Sequence, residues 1–177
     1  MKICIIGYTG CGKSTLARAL GELHEEPVLH LDSVRFLPNW VEREMSEMEK
    51  IVVKFLDEND GWVIDGTYKK CALKRRLEEA DEIVVMRFNR FACFFRAWKR
   101  YLKYKGRTRA DMAEGCNEKF DWEFAKWILW EGREKRRRED LQQISENYPQ
   151  KTTVLKNQRQ LTAFLKRKNE EKFQTFK

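Results

Sequence analysis

One stretch near the start of the chain constrains the fold more than any other. Residues 2–6 are short, apolar and rich in β-branched side chains, which predicts a strand, and residues 15–20 have helical spacing. Between them lies the pattern GxxxxGK[ST], formed by Gly7-Tyr8-Thr9-Gly10-Cys11-Gly12-Lys13-Ser14. A strand, a glycine-rich loop and a helix start in this order make a phosphate-binding loop, because the turn and the helix aim backbone N–H groups at one point.

Each part of this loop suits a nucleoside triphosphate. The glycines let the backbone turn tightly and point successive N–H groups inward. Lys13 supplies a mobile cation for the β- and γ-phosphates, and the hydroxyl of Ser14 is placed to ligate Mg²⁺. We therefore expect ATP and Mg²⁺ as cofactors, and the residues predicted to contact them are Gly7, Thr9, Gly10, Cys11, Gly12, Lys13, Ser14 and Thr15. The glycine spacing and the lysine argue against the GxGxxG pattern of a dinucleotide-binding fold.

Apolar segments of strand length alternate with segments of helical periodicity along the rest of the chain. The predicted strands are residues 2–6, 27–31, 62–64, 82–88 and 152–155. The first predicted helix follows the phosphate loop and ends at residue 23, and further helices are predicted at 42–57, 70–79, 90–104, 121–146 and 158–168. Residues 33–41 are interpreted as a loop and residues 169–177 as a frayed end. This alternation is typical of parallel β–α–β units, so we predict an α/β fold with a parallel sheet and helices on both faces.

The length of 177 residues suits a single domain. Residues 105–119 are polar and contain two glycines, which predicts a mobile lid. No apolar run approaches the ~20 residues that a membrane span needs, and the chain enters a strand without a signal peptide. The five cysteines are scattered, which fits reduced thiols, and Cys11 is interpreted as a small residue that the phosphate loop tolerates. We therefore expect a cytoplasmic protein without a membrane partner.

The net charge of +8 is distributed unevenly. Residues 1–80 contain 12 Lys and Arg and 14 Asp and Glu, whereas residues 81–177 contain 24 and 14. A basic half can bind nucleic acid, and it can equally supply arginines that close over nucleotide phosphates. No motif distinguishes between these two roles, so the sequence leaves binding to nucleic acid undecided. A homodimer through the tryptophan-rich helix predicted at 121–146 is also open.

Two acidic residues follow predicted strands. Asp32 ends the second strand, and Asp65 ends the third. Ligands of open parallel sheets bind beyond the carboxyl ends of the strands, so both acids are expected beside the phosphate loop. Asp65 would hold Mg²⁺ through water, and Asp32 would do the same or orient an acceptor hydroxyl. The alternative for either residue is a turn or helix cap.

Arginines form a second predicted constellation. Arg96 and Arg100 are four residues apart on one helix face, and Arg107 and Arg109 lie in the predicted lid. Arginine forks stabilise the charge that phosphoryl transfer spreads over the γ-phosphoryl oxygens, and a closing lid excludes water. Arg76, after the third strand, is a candidate acceptor contact. For any one of them the alternative is a solvated side chain.

We assign no chemical role to the two histidines, the two aromatic clusters or the charged run at 133–139. His24 and His30 match no metal or catalytic-triad spacing. The aromatic residues at 88–98 and 122–130 have helical spacing and are interpreted mainly as core, or as an exposed patch for a partner. Residues 133–139 mix both signs of charge and are interpreted as solvated helix surface.

An ordered set of short stretches runs from the phosphate loop to the predicted long helix. They are residues 7–15, Leu31-Asp32 with Pro38-Asn39-Trp40, residues 62–68, Arg76-Leu77 with Ala80-Asp81, Arg96 with Lys99-Arg100, residues 106–109 and 111–116, Glu118-Lys119, and residues 122–124 with Trp127. Together they resemble the bacterial DNA topology modulation protein family, whose relatives are adenylate and shikimate kinases. Where such proteins tend to carry an acid, then a proline and an arginine after the fourth strand, this chain has Arg87, Asn89 and Arg90.

The resemblance implies a three-layer P-loop NTPase fold of the nucleoside kinase type, with a five-stranded parallel sheet and residues 106–119 as its lid. By similarity to adenylate kinases, Asp65 and Gly66 face the magnesium and acceptor site, and Tyr68 in the same stretch is also predicted to contact the acceptor. By similarity to shikimate kinases, Asp32 faces the acceptor.

The leading hypothesis is a Mg-ATP-dependent kinase that transfers the γ-phosphoryl group to a small, nucleotide-like acceptor. Its predicted catalytic residues are Lys13, Asp32, Asp65, Arg96, Arg100, Arg107 and Arg109. The alternatives are a nucleotide-dependent regulator that binds nucleic acid and affects DNA topology, and a simple ATPase. The sequence does not identify the acceptor.

Overall fold

Five parallel strands form the central sheet of the computed structural model, which describes residues 1–175. The described residues form seven strands: β1 Lys2–Gly7, β2 Val28–His30, β3 Phe36–Leu37, β4 Val41–Glu42, β5 Trp62–Asp65, β6 Glu82–Met86 and β7 Thr152–Leu155. The sheet order is β2-β5-β1-β6-β7, and β3 and β4 form a separate antiparallel hairpin. The order places β1, and the phosphate loop that follows it, at the centre of the sheet.

Helices cover both faces of the sheet. They are α1 Lys13–His24, α2 Leu31–Arg35, α3 Met45–Glu58, α4 Leu73–Glu79, α5 Arg90–Tyr104, α6 Trp122–Leu129, α7 Lys135–Asn147 and α8 Gln158–Thr175. Alternate residues of β1 enter opposite cores: Cys4 and Ile6 pack with α3, α4 and α7, and Ile3 and Ile5 pack with α1, α5, α6 and α8. The α/β architecture predicted from the alternating pattern is confirmed.

The predicted long helix at 121–146 is wrong, because the chain breaks between α6 and α7. Trp130 leaves the helical region with φ −131° and ψ −68°, and a 3-10 turn follows over Glu131–Arg133. A Cβ atom on Gly132 would lie only 2.8 Å from the carbonyl oxygen of Trp127, so the close approach at this corner needs glycine.

Two further expectations are corrected. The predicted loop at 33–41 contains the end of α2 and most of the β3–β4 hairpin. Residues 169–175 of the predicted frayed end continue α8 instead, and this part of the helix is held by ion pairs of Lys168 with Glu82 at 2.8 Å and of Lys172 with Glu25 at 2.9 Å. Residues 176 and 177 lie outside the described residues. Within residues 1–175, no helix combines the length and the apolar character that crossing a bilayer requires.

Candidate functional site

The phosphate loop connects β1 to α1. Gly10 and Gly12 have φ values of 78° and 96°, in the left-handed region that glycine adopts most easily. A Cβ atom on Gly10 would lie 2.7 Å from the carbonyl oxygen of Cys93, so the loop packs directly on the backbone of α5. The first N–H groups of α1, beginning at Lys13, have no partner within the helix and are available to a phosphate.

Side chains of the loop have defined partners. The ammonium group of Lys13 donates to the carbonyl oxygen of Tyr8 at 3.0 Å, so it curls back over the loop. Thr9 Oγ1 accepts a hydrogen bond from the indole nitrogen of Trp127 at 3.1 Å, which fastens the loop to α6. Burial raises the pKa of the Cys11 thiol, so Cys11 is neutral and packs as a small core residue.

Ser14, Asp65 and His30 form a continuous chain of polar contacts beside the loop. Ser14 Oγ donates to Asp65 Oδ2 at 2.9 Å, and Nδ1 of His30 contacts Asp65 Oδ1. Asp65 is only 4% exposed, at the carboxyl end of β5. The structure therefore places this strand-end acid against the phosphate loop, where the parallel-sheet rule put it.

The donors at this position suit Mg²⁺. Because the Ser14 hydroxyl donates its hydrogen to Asp65, the oxygen lone pairs remain free for a cation. Proteins usually hold Mg²⁺ through one or two carboxylates, with phosphates and waters as the remaining ligands. Among residues 1–175 no group of three or more His, Cys, Asp and Glu forms a self-contained metal site. Ser14 and Asp65 thus fit a metal that arrives with a phosphorylated ligand.

Arg96 reaches the phosphate loop. Its Nη1 atom donates to the carbonyl oxygen of Cys11 at 2.8 Å, and its Nη2 atom contacts Gln158. The guanidinium carbon lies 4.5 Å from the centroid of the Phe88 ring. Arg107 of the lid is exposed to solvent. The two arginines therefore lie in different environments, one against the loop and one outside.

Arg100 and Arg109 are paired with acids of the lid. Glu118 is buried, and its carboxylate lies 2.8 Å from Arg100 Nε and 2.7 Å from Arg109 Nε. Arg109 also donates to Asp111 at 2.9 Å. Burial, together with the charge of Arg109, lowers the pKa of Arg100. These contacts tie the lid to α5.

The residues predicted to face an acceptor include an acid and a phenol. The prediction that Asp32 ends the second strand is wrong, because β2 ends at His30 and Asp32 lies in the first turn of α2. The exposed carboxylate of Asp32 accepts a hydrogen bond from Tyr68 Oη at 2.7 Å. Burial and the Asp32 carboxylate raise the pKa of Tyr68 far above its ordinary value, so the phenol remains a donor. Gly66 has φ 128°, and a Cβ atom there would lie 2.8 Å from Leu31 Cβ, so glycine lets β5 and α2 approach each other.

Arg76 occupies a different position from the one expected of an acceptor contact. Its side chain is fully buried, and the guanidinium donates to the carbonyl oxygens of Gly66, Tyr68 and Cys71, each at 3.0 Å. Because its donors bind these carbonyl groups and its side chain is buried, Arg76 supports the segment after β5 from the protein interior and is not accessible to an acceptor. An arginine fork can hold several carbonyl groups at once, which explains why this turn contains one.

The lid also contacts the β3–β4 hairpin that follows α2. The indole nitrogen of Trp40 donates to the carbonyl oxygen of Asn117 at 3.1 Å. The thiol of Cys116 contacts the carbonyl oxygen of Leu37 at 3.2 Å, and Lys119 Nζ lies 5.3 Å from the centroid of the Trp40 ring. Residues 105–119 thus bridge α5 and the β3–β4 hairpin.

Known proteins resemble this chain in structure. No protein-family model matches the chain, and no curated protein matches it. A shikimate kinase from Bacteroides thetaiotaomicron is 17% identical, with a TM-score of 0.51 and 96% of each chain covered. A gluconokinase from Sinorhizobium meliloti 1021 is 17% identical, with a TM-score of 0.54 and 98% of this chain and 96% of that chain covered. The fold is that of the P-loop kinases. The predicted fold class is therefore confirmed, and the resemblance to DNA topology modulation proteins remains a hypothesis.

Within this P-loop kinase fold, three contacting residues escaped the sequence analysis. His30 contacts Asp65, and Trp127 holds Thr9. Arg133, interpreted as solvated surface, turns inward and donates to the carbonyl oxygens of Phe88 and Ile128 at 2.9 and 3.0 Å. Local spacing gave no signal for the contacts with Asp65, Thr9 and Phe88, because they join segments that lie far apart in the sequence.

Proposed function

We propose that this chain is a Mg-ATP-dependent kinase that transfers the γ-phosphoryl group to a small-molecule acceptor. The observation that carries the proposal is the hydrogen bond from Ser14 to Asp65, because it joins a hydroxyl of the phosphate loop to a strand-end carboxylate. The two structurally similar proteins are by name a shikimate kinase and a gluconokinase, which supports a small acceptor.

The phosphate loop and α1 would hold the phosphate groups of ATP. The backbone N–H groups of the loop bind the β-phosphate, and Lys13 exchanges the Tyr8 carbonyl for phosphate oxygens. Ser14 directly, and Asp65 through water, would hold Mg²⁺. When bound, the metal supplies positive charge that offsets the charge of the phosphates. Thr9, Cys11 and Thr15 contribute backbone and hydroxyl contacts to the same ligand.

The arginines would contribute at different stages. Arg96 already lies against the loop and stabilises charge on the phosphates once they are bound. Arg100 and Arg109 reach the γ-phosphoryl group only by exchanging Glu118 for it, so lid closure and charge stabilisation are one event. Arg107, exposed on the lid, adds a further positive charge as the lid closes.

The acceptor would bind between the end of β5 and the β3–β4 hairpin. Asp32 orients the attacking hydroxyl, and Tyr68 holds the Asp32 carboxylate in place. The absence of a side chain at Gly66 lets the end of β5 pack closely against α2 at this position. Closure of the lid onto the hairpin excludes water, so the phosphoryl group goes to the acceptor rather than to hydrolysis.

Formation of ADP tests the proposal. The purified protein is incubated with Mg-ATP alone, then with a panel of nucleoside monophosphates, sugars, sugar acids and other hydroxyl compounds. We expect one compound to stimulate ADP formation and to be recovered in phosphorylated form. Lys13→Ala should abolish the stimulated rate, whereas Lys50→Ala, an exposed lysine of α3, should leave it unchanged. Undiminished turnover in Lys13→Ala would contradict the assignment.

A second candidate is a nucleotide-dependent regulator that binds nucleic acid, which the excess of Lys and Arg in residues 81–177 supports. The outward face of α5 favours it, because Phe91, Phe95 and Trp98 are 61%, 55% and 42% exposed beside the exposed Lys99 and Lys103. Exposed rings stack on bases, and lysines attract phosphates. Binding of labelled single-stranded DNA that falls steeply with salt and weakens in Trp98→Ala would support this candidate. A flat isotherm at low salt would exclude it.

A further inference from the structure

His30 lies where the phosphate loop meets the acceptor side. It is the last residue of β2, and the register of the sheet pairs it with Asp65, the last residue of β5. Its side chain is 12% exposed, and Nδ1 contacts Asp65 Oδ1. Two neighbouring parallel strands therefore end in a histidine and a carboxylate that face each other.

The two oxygens of Asp65 have separate partners. Ser14 donates to Oδ2 at 2.9 Å, and His30 contacts Oδ1. A carboxylate held through one oxygen alone can still rotate, because its terminal torsion is broad. A second partner on the other oxygen fixes the plane of the carboxylate. Since an ionised carboxylate only accepts hydrogen bonds, His30 donates through Nδ1.

We propose that His30 is a positioning residue that orients the Asp65 carboxylate toward Ser14 and the water ligands of Mg²⁺. This inference rests on the proposed function, because it concerns the same metal-nucleotide site. Carboxylates that hold metals are themselves commonly fixed by hydrogen bonds, and removal of such a partner weakens metal binding. His30 acts through Asp65 and needs no contact with either substrate.

The competing explanation is that His30 only fills space at the edge of the sheet. If His30 is a positioning residue, the hydrogen-bond donor at Nδ1 is required. If His30 only fills space, the volume of its ring is required. His30→Asn keeps an amide donor near the Nδ1 position, whereas His30→Leu keeps an apolar side chain of similar reach without a donor. His24→Asn, at the end of α1, is the matched control for loss of a histidine.

The experiment measures metal binding without turnover. Mn²⁺ binding to each variant is followed by electron paramagnetic resonance in the presence of saturating β,γ-imido ATP. The affinity for the same nucleotide is measured separately in EDTA. We expect His30→Leu to weaken Mn²⁺ binding by about 10- to 100-fold, with little change of nucleotide affinity in EDTA. His30→Asn should recover most of the metal affinity, and His24→Asn should match the wild-type protein.

The outcomes distinguish a failure of the role assigned to His30 from a failure of the proposed kinase function. If the wild-type protein binds Mn²⁺ with the nucleotide and His30→Leu binds it equally well, His30 is not a positioning residue. The same conclusion follows if His30→Asn loses as much affinity as His30→Leu. If the wild-type protein shows no metal-dependent nucleotide binding, the kinase proposal fails, and this inference fails with it.

Discussion

The guanidinium carbon of Arg133 lies 4.2 Å from the centroid of the Tyr8 ring in the phosphate loop. The same guanidinium donates to the carbonyl oxygens of Phe88 and Ile128. The corner between α6 and α7 is therefore attached to the phosphate loop by stacking and to the segment after β6 by hydrogen bonds. Arg133 thus supports the phosphate loop, although the two lie far apart in the sequence.

Arg133→Met tests this support. The variant keeps an apolar stem and removes the donors, so two partly buried carbonyl groups lose their partners. We expect the free energy of unfolding to fall by about 2 kcal/mol, measured by urea denaturation. Arg138→Met, an exposed arginine of α7, should cost little. Equal stabilities of the two variants would contradict a supporting role for Arg133.

Gly10→Ala should damage the phosphate loop more than Gly106→Ala damages the lid. Both glycines have positive φ, 78° and 72°, so both substitutions pay about 1 kcal/mol of backbone strain. A Cβ atom on Gly10 also collides with the Cys93 carbonyl, whereas nothing lies within 4 Å of one on Gly106. We expect a large loss of nucleotide affinity in Gly10→Ala only, measured by calorimetry. A similar loss of nucleotide affinity in Gly106→Ala would show that backbone strain, and not the collision with the Cys93 carbonyl, causes the loss.

Arg76→Lys should destabilise the fold although the charge is kept. A lysine cannot reach the three carbonyl oxygens of Gly66, Tyr68 and Cys71 together. We expect a loss of about 3 kcal/mol in the free energy of unfolding, measured by urea denaturation. The neighbouring Arg75→Lys, on the surface of α4, provides the control. Wild-type stability in Arg76→Lys would mean that the fork geometry is not needed.

Glu118→Gln should loosen the lid. The change keeps the shape of the side chain and removes the charge that Arg100 and Arg109 share. We expect a loss of about 2 kcal/mol in the free energy of unfolding and faster proteolysis within 105–119. Glu114→Gln, an exposed lid residue, should behave like the wild-type protein. Unchanged proteolysis in Glu118→Gln would separate lid order from this ion cluster.

Buried thiols should make the fold sensitive to alkali. Burial raises the pKa of Cys93 from 9.0 to about 11, and it raises the pKa values of Cys4 and Cys11 as well. Above pH 9 the unfolded chain releases these protons while the native protein retains them. The free energy of unfolding therefore falls as pH rises from 9, by about 1.4 kcal/mol per pH unit for each thiol. Urea denaturation at pH 8 to 10 measures the slope, which should be shallower in Cys93→Ala.

Local pattern was sufficient for much of the fold. The helix at 90–104 and the strand at 152–155 have the predicted bounds, because apolar periodicity and flanking polar residues are local signals. The strand-end rule also placed Asp65 beside the phosphate loop, since it depends only on parallel topology.

The remainder depended on contacts between distant segments. A charged residue on a helix carries no sign of whether it points inward, so the burial of Arg76 and the inward turn of Arg133 were not predicted. His30 meets Asp65 through the register of two strands, which no local spacing encodes. Pairing of Arg100 and Arg109 with Glu118 likewise depends on the path of residues 105–119 over α5.

The hydrogen bond between Trp40 and Asn117 has a thermodynamic consequence. It joins the β3–β4 hairpin to residues 105–119, so a ligand that shifts one segment must shift the other or break the bond. If ATP and an acceptor bind as proposed, the two binding events share one conformational free energy. Such coupling is reciprocal: whatever factor the acceptor contributes to nucleotide affinity, the nucleotide returns to acceptor affinity. Under the proposed kinase function, this coupling would favour the ternary complex and would limit hydrolysis of ATP in the absence of the acceptor.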